Sequence, residues 1–278
     1  MGRHIVELLQ RRAISHSAFT HAELDITDRA ASARVMSRER PEWVINCAAL
    51  CSFDACEIDP ERSRSVNFEA PLRWAELCHA RGVKLAHFSS DYIFDGAKGV
   101  PYLEEDTPVP RSVYARHKAD IENAFQAFPE HLILRVAWLF GKGAPTFMSQ
   151  MPRLILMQEK LTVASGKRGS CLFAGYGAQL TLALIDAGAA GIVNAVHSGE
   201  TAWEVFAEEC LRQLRGRGLE PRCRFIEEVP FDHMPIMRAG RPPYSVLNND
   251  KLAGITGYRP ISWQEGIGQY LNALFSGE

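Results

Sequence analysis

Short apolar runs separated by longer amphipathic stretches organise this chain. Trp43 to Leu50 (WVINCAAL), Lys84 to Ser90 (KLAHFSS) and His131 to Phe140 (HLILRVAWLF) are nearly continuous apolar runs, too short for helices. Such runs fit strands buried on both faces, as in a parallel sheet. Between them the apolar period lengthens. Residues 3–12, 28–39, 60–81 and 114–128 place apolar side chains on one side at helical spacing. Strand and helix in alternation imply βαβ units and a doubly wound parallel sheet, whose ligands bind beyond the C-terminal strand ends. Here those ends are Cys47-Ala48-Ala49, Ser89-Ser90-Asp91 and Ala137-Trp138.

After Gly141 the pattern weakens. Gly, Lys, Arg and Ser cluster over 142–180, Ala189 to His197 reads as one more strand, and 221–245 is rich in Pro and Arg. The expected organisation is a dinucleotide-binding domain over 1–141, rejoined by 178–200. A smaller C-terminal lobe would comprise 142–177 and 201–278.

Composition narrows the function. The chain has 278 residues, 46% of them hydrophobic, and a formal net charge of −2. Its Lys and Arg residues are scattered, so nothing points to a nucleic-acid partner. No apolar run approaches the ~20 residues a membrane span needs. Cys47, Cys51 and Cys56 lie close together but lack a CxxC or a nearby His to complete a zinc set, and no metal is expected. Seven irregularly spaced cysteines fit reduced thiols in a cytoplasmic protein.

The chemistry centres on Tyr114 and Lys118, a YxxxK pair. Positions i and i+4 share a helix face, so both side chains can enter one cleft. The lysine charge is expected to lower the tyrosine pKa, and a phenol so placed can protonate a carbonyl oxygen that receives hydride. YxxxK alone is a weak signal. Ser90 strengthens it, because a hydroxyl ending a buried strand would face the same crevice; its plainer reading is a turn cap.

Longer segments carry a family resemblance. HFSSDYIFDG (His87 to Gly96), PYLEED (Pro101 to Asp106) and VYARHK (Val113 to Lys118) follow one another in order. LDITD (Leu24 to Asp28), RPEWVINCAAL (Arg40 to Leu50), EIDPERSRSVN (Glu57 to Asn67), LILRVAWLFG (Leu132 to Gly141), TAWEVFA (Thr201 to Ala207) and RPPYSVLNNDKL (Arg241 to Leu252) extend the agreement nearly end to end. The sequence resembles the dTDP-4-dehydrorhamnose reductase family, extended short-chain dehydrogenase/reductases with a Rossmann-like fold. The resemblance implies a reductase that uses NADPH or NADH on a nucleotide-linked 4-keto sugar. Ser90, Tyr114 and Lys118 match its catalytic trio. Gly2, Asp25, Ile26, Cys47, Ala48 and Ala49, with Tyr114 and Lys118, match cofactor-side positions. Asp91, Tyr92, Trp138 and Arg241 match substrate-side positions. Asp25 would equally cap the helix near residue 28, Trp138 would equally be core, and Arg241 would equally be a surface residue.

Two departures matter. The family opens with a buried strand and a G-x-x-G-x-x-G turn, whereas this sequence opens at Met1-Gly2-Arg3-His4, with Gly2 matching the last of those glycines. The expectation is a start upstream of Met1; a different segment or a partner chain in the gap, or lost cofactor binding, are the alternatives. Ile14 to Thr20 is expected to be the second strand. In Ser165 to Gly177 the family's Gly-x-Pro-Thr is missing, which leaves another nucleotide deoxysugar open as substrate. The same fold also serves a regulatory subunit of methionine adenosyltransferase, so a non-catalytic binding role is the rival. A homodimer is compatible with either.

Overall fold

The structure is a computed structural model that describes residues 1–143, 146–233 and 239–275. Four parallel strands form its main sheet, in the spatial order Trp43–Asn46, Lys84–Ser90, Leu132–Val136 and Gly191–Asn194. The apolar runs therefore form strands, and Gly191–Asn194 returns to the sheet late in the chain. The Lys84–Ser90 strand fills its run, and the other three are shorter than theirs. Trp43–Asn46 stops at Asn46, and Cys47 to Leu50 continue as loop at the strand end.

Alternation along the strands sorts the core into two layers. Leu85 and Ile133 face Trp74, Ala75, Cys78, Ile121 and Phe125, which belong to the Ala70–His79 helix and to the Val113–Ala124 helix with its Phe125–Ala127 turn. Ala86, Leu132, Leu134 and Val193 face the opposite way, towards Tyr176, Leu180 and Leu184 of the Ala174–Asp186 helix. The Gly2–Arg11 helix packs on that second layer through Ile5 and Leu8, against Ala178 and Leu182. A sheet covered on both faces explains the continuous apolar runs.

Several expectations need correction. Ile14 to Thr20 is irregular, with Ile14 and Phe19 exposed. A strand must find a ladder for its backbone N–H and C=O groups. Among the described residues none pairs there, nor along the outer edge of Trp43–Asn46. The helix expected over 60–81 contains a π turn at Ser65–Glu69, between Pro60–Arg64 and Ala70–His79. Such a turn inserts an extra residue, and it points Asn67 inward. Asn67 accepts from the Leu50 N–H at 3.0 Å and donates to the Leu50 carbonyl at 3.1 Å. The loop that follows the first strand is thus pinned by the helix.

The stretch beyond Gly141 holds more order than its sequence suggested. Lys160–Ser165 pairs in parallel with Phe225–Pro230 over six residues. Of the Pro- and Arg-rich segment, residues 234–238 lie outside the described residues. The run through Phe140 breaks at Trp138, which has a positive φ of 33°. A bulky residue there is strained. Its indole lies over Gly169, where an added Cβ would come within 2.7 Å of the ring, so that glycine is required.

Inside the sheet, Arg135 is 1% exposed and pairs with Glu122 of the Val113–Ala124 helix, Nη2 to Oε2 at 2.7 Å and Nε to Oε1 at 3.0 Å. Its Nη1 donates to the Leu103 and Glu104 carbonyls. Glu104 in turn accepts from the Asn194 N–H at 2.9 Å. Helix, Pro101 to Asp106 segment and two strands share one buried network. Glu122→Ala would leave the guanidinium buried without its carboxylate, which costs about 3–5 kcal/mol. Urea unfolding of that variant should show a loss of this size; a loss below about 1 kcal/mol would mean that the pair is not holding these elements together.

Candidate active site

Ser90 ends its strand, and the chain turns at once into the short Asp91–Ile93 helix. The Ser90 hydroxyl accepts from the Tyr92 N–H and donates to Asp91 Oδ1, both at 3.2 Å. Ser112 caps the Val113–Ala124 helix by accepting from the Ala115 N–H, and Glu57 Oε1 accepts from the Val113 N–H at 2.8 Å. That fixed start sets the helix phase, so Tyr114 and Lys118 share the buried face beneath which Ser90 ends. Lys118 Nζ lies 6.0 Å from the centre of the Tyr114 ring. The three residues converge.

Their electrostatics differ from the expectation in one respect. Tyr114 is held well above its ordinary pKa, not below it. Burial dominates, and the Cys51 and Asp91 side chains push the same way, while the Ser90 hydroxyl works against them. Lys118 Nζ donates to the Phe88 carbonyl at 2.8 Å. The tyrosine is therefore held as the neutral phenol, a form able to donate a proton. Burial pulls Lys118 down to about 8.

The remaining predicted residues divide. Asp91 is 2% exposed and accepts from the Ser245 hydroxyl at 2.6 Å, a contact that ties the strand end to Tyr244–Ser245. Tyr92 stacks near Phe53, with ring centres 4.9 Å apart, and Phe53 meets Tyr114 edge-on at 4.7 Å. The Arg241 guanidinium lies 5.2 Å from the centre of the Phe53 ring and 5.7 Å from that of Phe231, and its Nη1 is buried with no partner among the described residues. Arg241 is thus half-buried between two aromatic rings, one of which, Phe53, also meets Tyr114. Trp138 meets Trp203 edge-on at 5.9 Å, and Trp203 lies 6.3 Å from Phe231. Trp203 Nε1 and Trp138 Nε1 are also buried, with no partner among the described residues. Three unsatisfied donors on an aromatic wall suit a polar ligand.

Cys47 and Ala48 lie exposed beyond the first strand, with Ala49 half-buried. A Cβ on Gly2 would come within 3.3 Å of the Cys47 Cβ, so the glycine lets the helix start sit beside the strand end. Small residues at that point suit the close approach of a flat ligand. Asp25 is turned onto its own loop, accepting from the Thr27 N–H at 2.8 Å and from its hydroxyl at 2.7 Å. Asp28, not Asp25, caps the following helix, through the Ala31 N–H. Ile26 packs at the edge of the core beside Leu24. The structure does not join Asp25 or Ile26 to the trio.

Sequence reasoning missed Phe53, Phe231, Trp203 and Lys167. Lys167 Nζ lies 3.5 Å from the centre of the Phe231 ring and donates to the Arg241 carbonyl at 2.9 Å. Phe53 had a signal, as the first aromatic after a strand-end run of small residues. Phe231 and Lys167 come from segments distant in sequence and had none.

Comparison with known proteins follows the same line. The profile described as RmlD substrate binding domain matches residues 1–276. A dTDP-4-dehydrorhamnose reductase of Streptomyces griseus is 34% identical over 99% of this chain and 90% of its own length. A dTDP-4-keto-6-deoxy-D-glucose reductase of Streptomyces niveus is 33% identical, covering 100% of this chain and 95% of its own. The crystal structure of a dTDP-4-dehydrorhamnose reductase from Clostridium acetobutylicum superposes with a TM-score of 0.89 at 29% identity, over 98% of this chain and 95% of that one.

Burial, against the pull of Ser245, Ser90 and Lys167, pushes Asp91 from its ordinary 3.8 up to about 7. Between those values the folded chain keeps a proton that the unfolded chain has released. Stability therefore falls as pH rises through that window. Asp91→Asn removes the titration. Relative to the wild type, its unfolding free energy should rise by about 2–3 kcal/mol between pH 5 and pH 8, read from urea melts at each pH. Parallel profiles for the two proteins would contradict a protonated Asp91.

Proposed function

Given that this chain belongs to the RmlD substrate binding domain family, that of the dTDP-4-dehydrorhamnose reductases, we propose that it reduces the 4-keto group of a nucleotide-linked 6-deoxy sugar. dTDP-4-dehydro-L-rhamnose, giving dTDP-L-rhamnose, is the first candidate. The convergence of Ser90, Tyr114 and Lys118 at one strand end carries this reading. NADPH or NADH supplies the hydride when bound. Gly2, Cys47, Ala48 and Ala49 would lie along that cofactor, with Lys118 at its nicotinamide end; Asp25 and Ile26 are proposed for its adenine side. Residues 142–177 and 201–278 would form the substrate lobe.

Each residue's task follows from its chemistry. Ser90 offers a hydroxyl to the ketone oxygen. Tyr114, kept as a neutral phenol by burial, donates the proton that turns this oxygen into an alcohol. Lys118 supplies a positive charge beside the phenolate that results. Arg241, with a spare N–H, suits a diphosphate, because a guanidinium presents several donors in one plane. The Trp138, Trp203 and Phe231 wall gives a sugar or base an apolar surface. Free cysteines fit a reducing compartment, and we take the protein to work in the cytoplasm.

The altered segment around Lys167 favours testing a second substrate. Lys167 reaches the Arg241 and Pro242 carbonyls and the Phe231 ring, and so shapes the substrate side. A panel of nucleotide 4-keto-6-deoxy sugars, including dTDP-4-keto-6-deoxy-D-glucose, separates the choices.

Tyr114→Phe keeps the ring and removes the proton. Oxidation of NADPH with 4-keto sugar should slow by about 10²–10⁴-fold, while nucleotide binding stays near the wild-type level. Turnover within a few-fold of wild type would rule Tyr114 out as the acid.

A further inference from the structure

Lys118 is supported by a buried chain that reaches back to the first strand. Its Nζ lies 3.4 Å from His87 Nε2. His87 is wholly buried in the Lys84–Ser90 strand, its ring 5.7 Å from that of Phe125. On the other side of the imidazole, Nδ1 lies 3.2 Å from Asn46 Nδ2. Asn46 Oδ1 is itself engaged, accepting from the Ala48 N–H at 3.0 Å.

These contacts fix the direction of every hydrogen bond. An amide whose oxygen faces a backbone N–H must turn its NH₂ to the imidazole, so His87 Nδ1 is the acceptor. A neutral imidazole has one donor and one acceptor, so the ring proton sits on Nε2. That N–H is aimed at Lys118 Nζ. An ammonium has no lone pair to receive it, whereas a neutral amine has one. The tautomer therefore favours the amine over the ammonium. Burial acts in the same sense, holding His87 neutral and pulling Lys118 down to about 8. Cys51 and Cys56 beyond the first strand, and Glu122 on the lysine's own helix, pull the other way; Tyr114 stands one turn before it.

We propose that Asn46 and His87 are positioning residues for Lys118: Asn46 locks the imidazole tautomer, and the His87 N–H sets the pH at which Lys118 loses its charge. The proposal rests on the reading of Lys118 as part of the catalytic trio, and it adds two residues that act through Lys118. Asn46 lies at the very end of the first strand, so the same side chain that shapes the Ala48 turn would tune the lysine.

The test begins in the free protein. Long-range ¹H–¹⁵N spectra identify the protonated ring nitrogen of His87. The Cε resonance of Lys118, assigned by its loss in Lys118→Arg, follows the lysine titration. The expected wild type carries its proton on Nε2. In Asn46→Asp the introduced carboxylate accepts from both the Ala48 N–H and His87 Nδ1–H. The tautomer inverts, and the Lys118 midpoint rises by about one pH unit or more. Asn46→Ala, which adds no charge, should move the midpoint the same way by a smaller amount. A wild-type proton on Nδ1, which is readable even if both variants fail to fold, overturns the proposal. So does an unmoved midpoint in folded variants. With substrate, the alkaline limb of kcat/KM against pH should shift upward in step with the midpoint. Its persistence in Lys118→Met would instead count against Lys118 as a catalytic residue, so the two failures are distinguishable.

Discussion

Backbone groups in a sheet covered on both faces have no water to turn to, so each must be met by a neighbouring strand. The ladder joining Lys84–Ser90 to Leu132–Val136 meets that requirement at the centre of this molecule. Its register places Ser90 beside Val136 and sends both chains out at one edge. It also places Arg135 under the Val113–Ala124 helix, where the ion pair with Glu122 fixes how that helix lies. Tyr114 and Lys118 inherit their positions from that docking. A one-residue slip would turn His87 and Arg135 to the opposite face and dismantle the site.

Burial is also what makes the site chemically useful. In water a lysine would be charged and would add little to a distant phenol. Here Tyr114, Lys118, His87 and Asp91 all lie in a low-dielectric interior, and each is pushed towards its neutral form. The expectation that the lysine charge lowers the tyrosine pKa treated the pair alone. The interior adds a desolvation cost to both, and it outweighs their mutual effect. For reduction this is the useful direction, because the phenol must arrive carrying its proton.

The wall proposed to face the substrate is built differently. Ser245 reaches Asp91, Gly169 makes room for Trp138, and Arg241 spans Phe53 and Phe231. These contacts join residues far apart in the chain, and the one from Ser245 reaches the strand end itself. Relatives named for different 4-keto sugars are nearly equally similar to this chain.

The sequence by itself determined the alternation of buried strands and helices, the YxxxK face and the strand-end serine, because these depend on local period and on the burial of whole runs. It also carried the family through long motifs in fixed order. Only the tertiary structure decided the rest. Ile14 to Thr20 had the composition of a strand but no ladder to join among the described residues, and a strand exists only with its partner. The π turn at Ser65–Glu69 has no periodic signature, because its use is to aim Asn67 at a loop 17 residues back. Arg241 was undecided between surface and site until Phe53 and Phe231 were placed around it. The protonation of Tyr114, Lys118 and Asp91 likewise depends on which groups are buried together, and that is a property of the packed molecule, not of any segment.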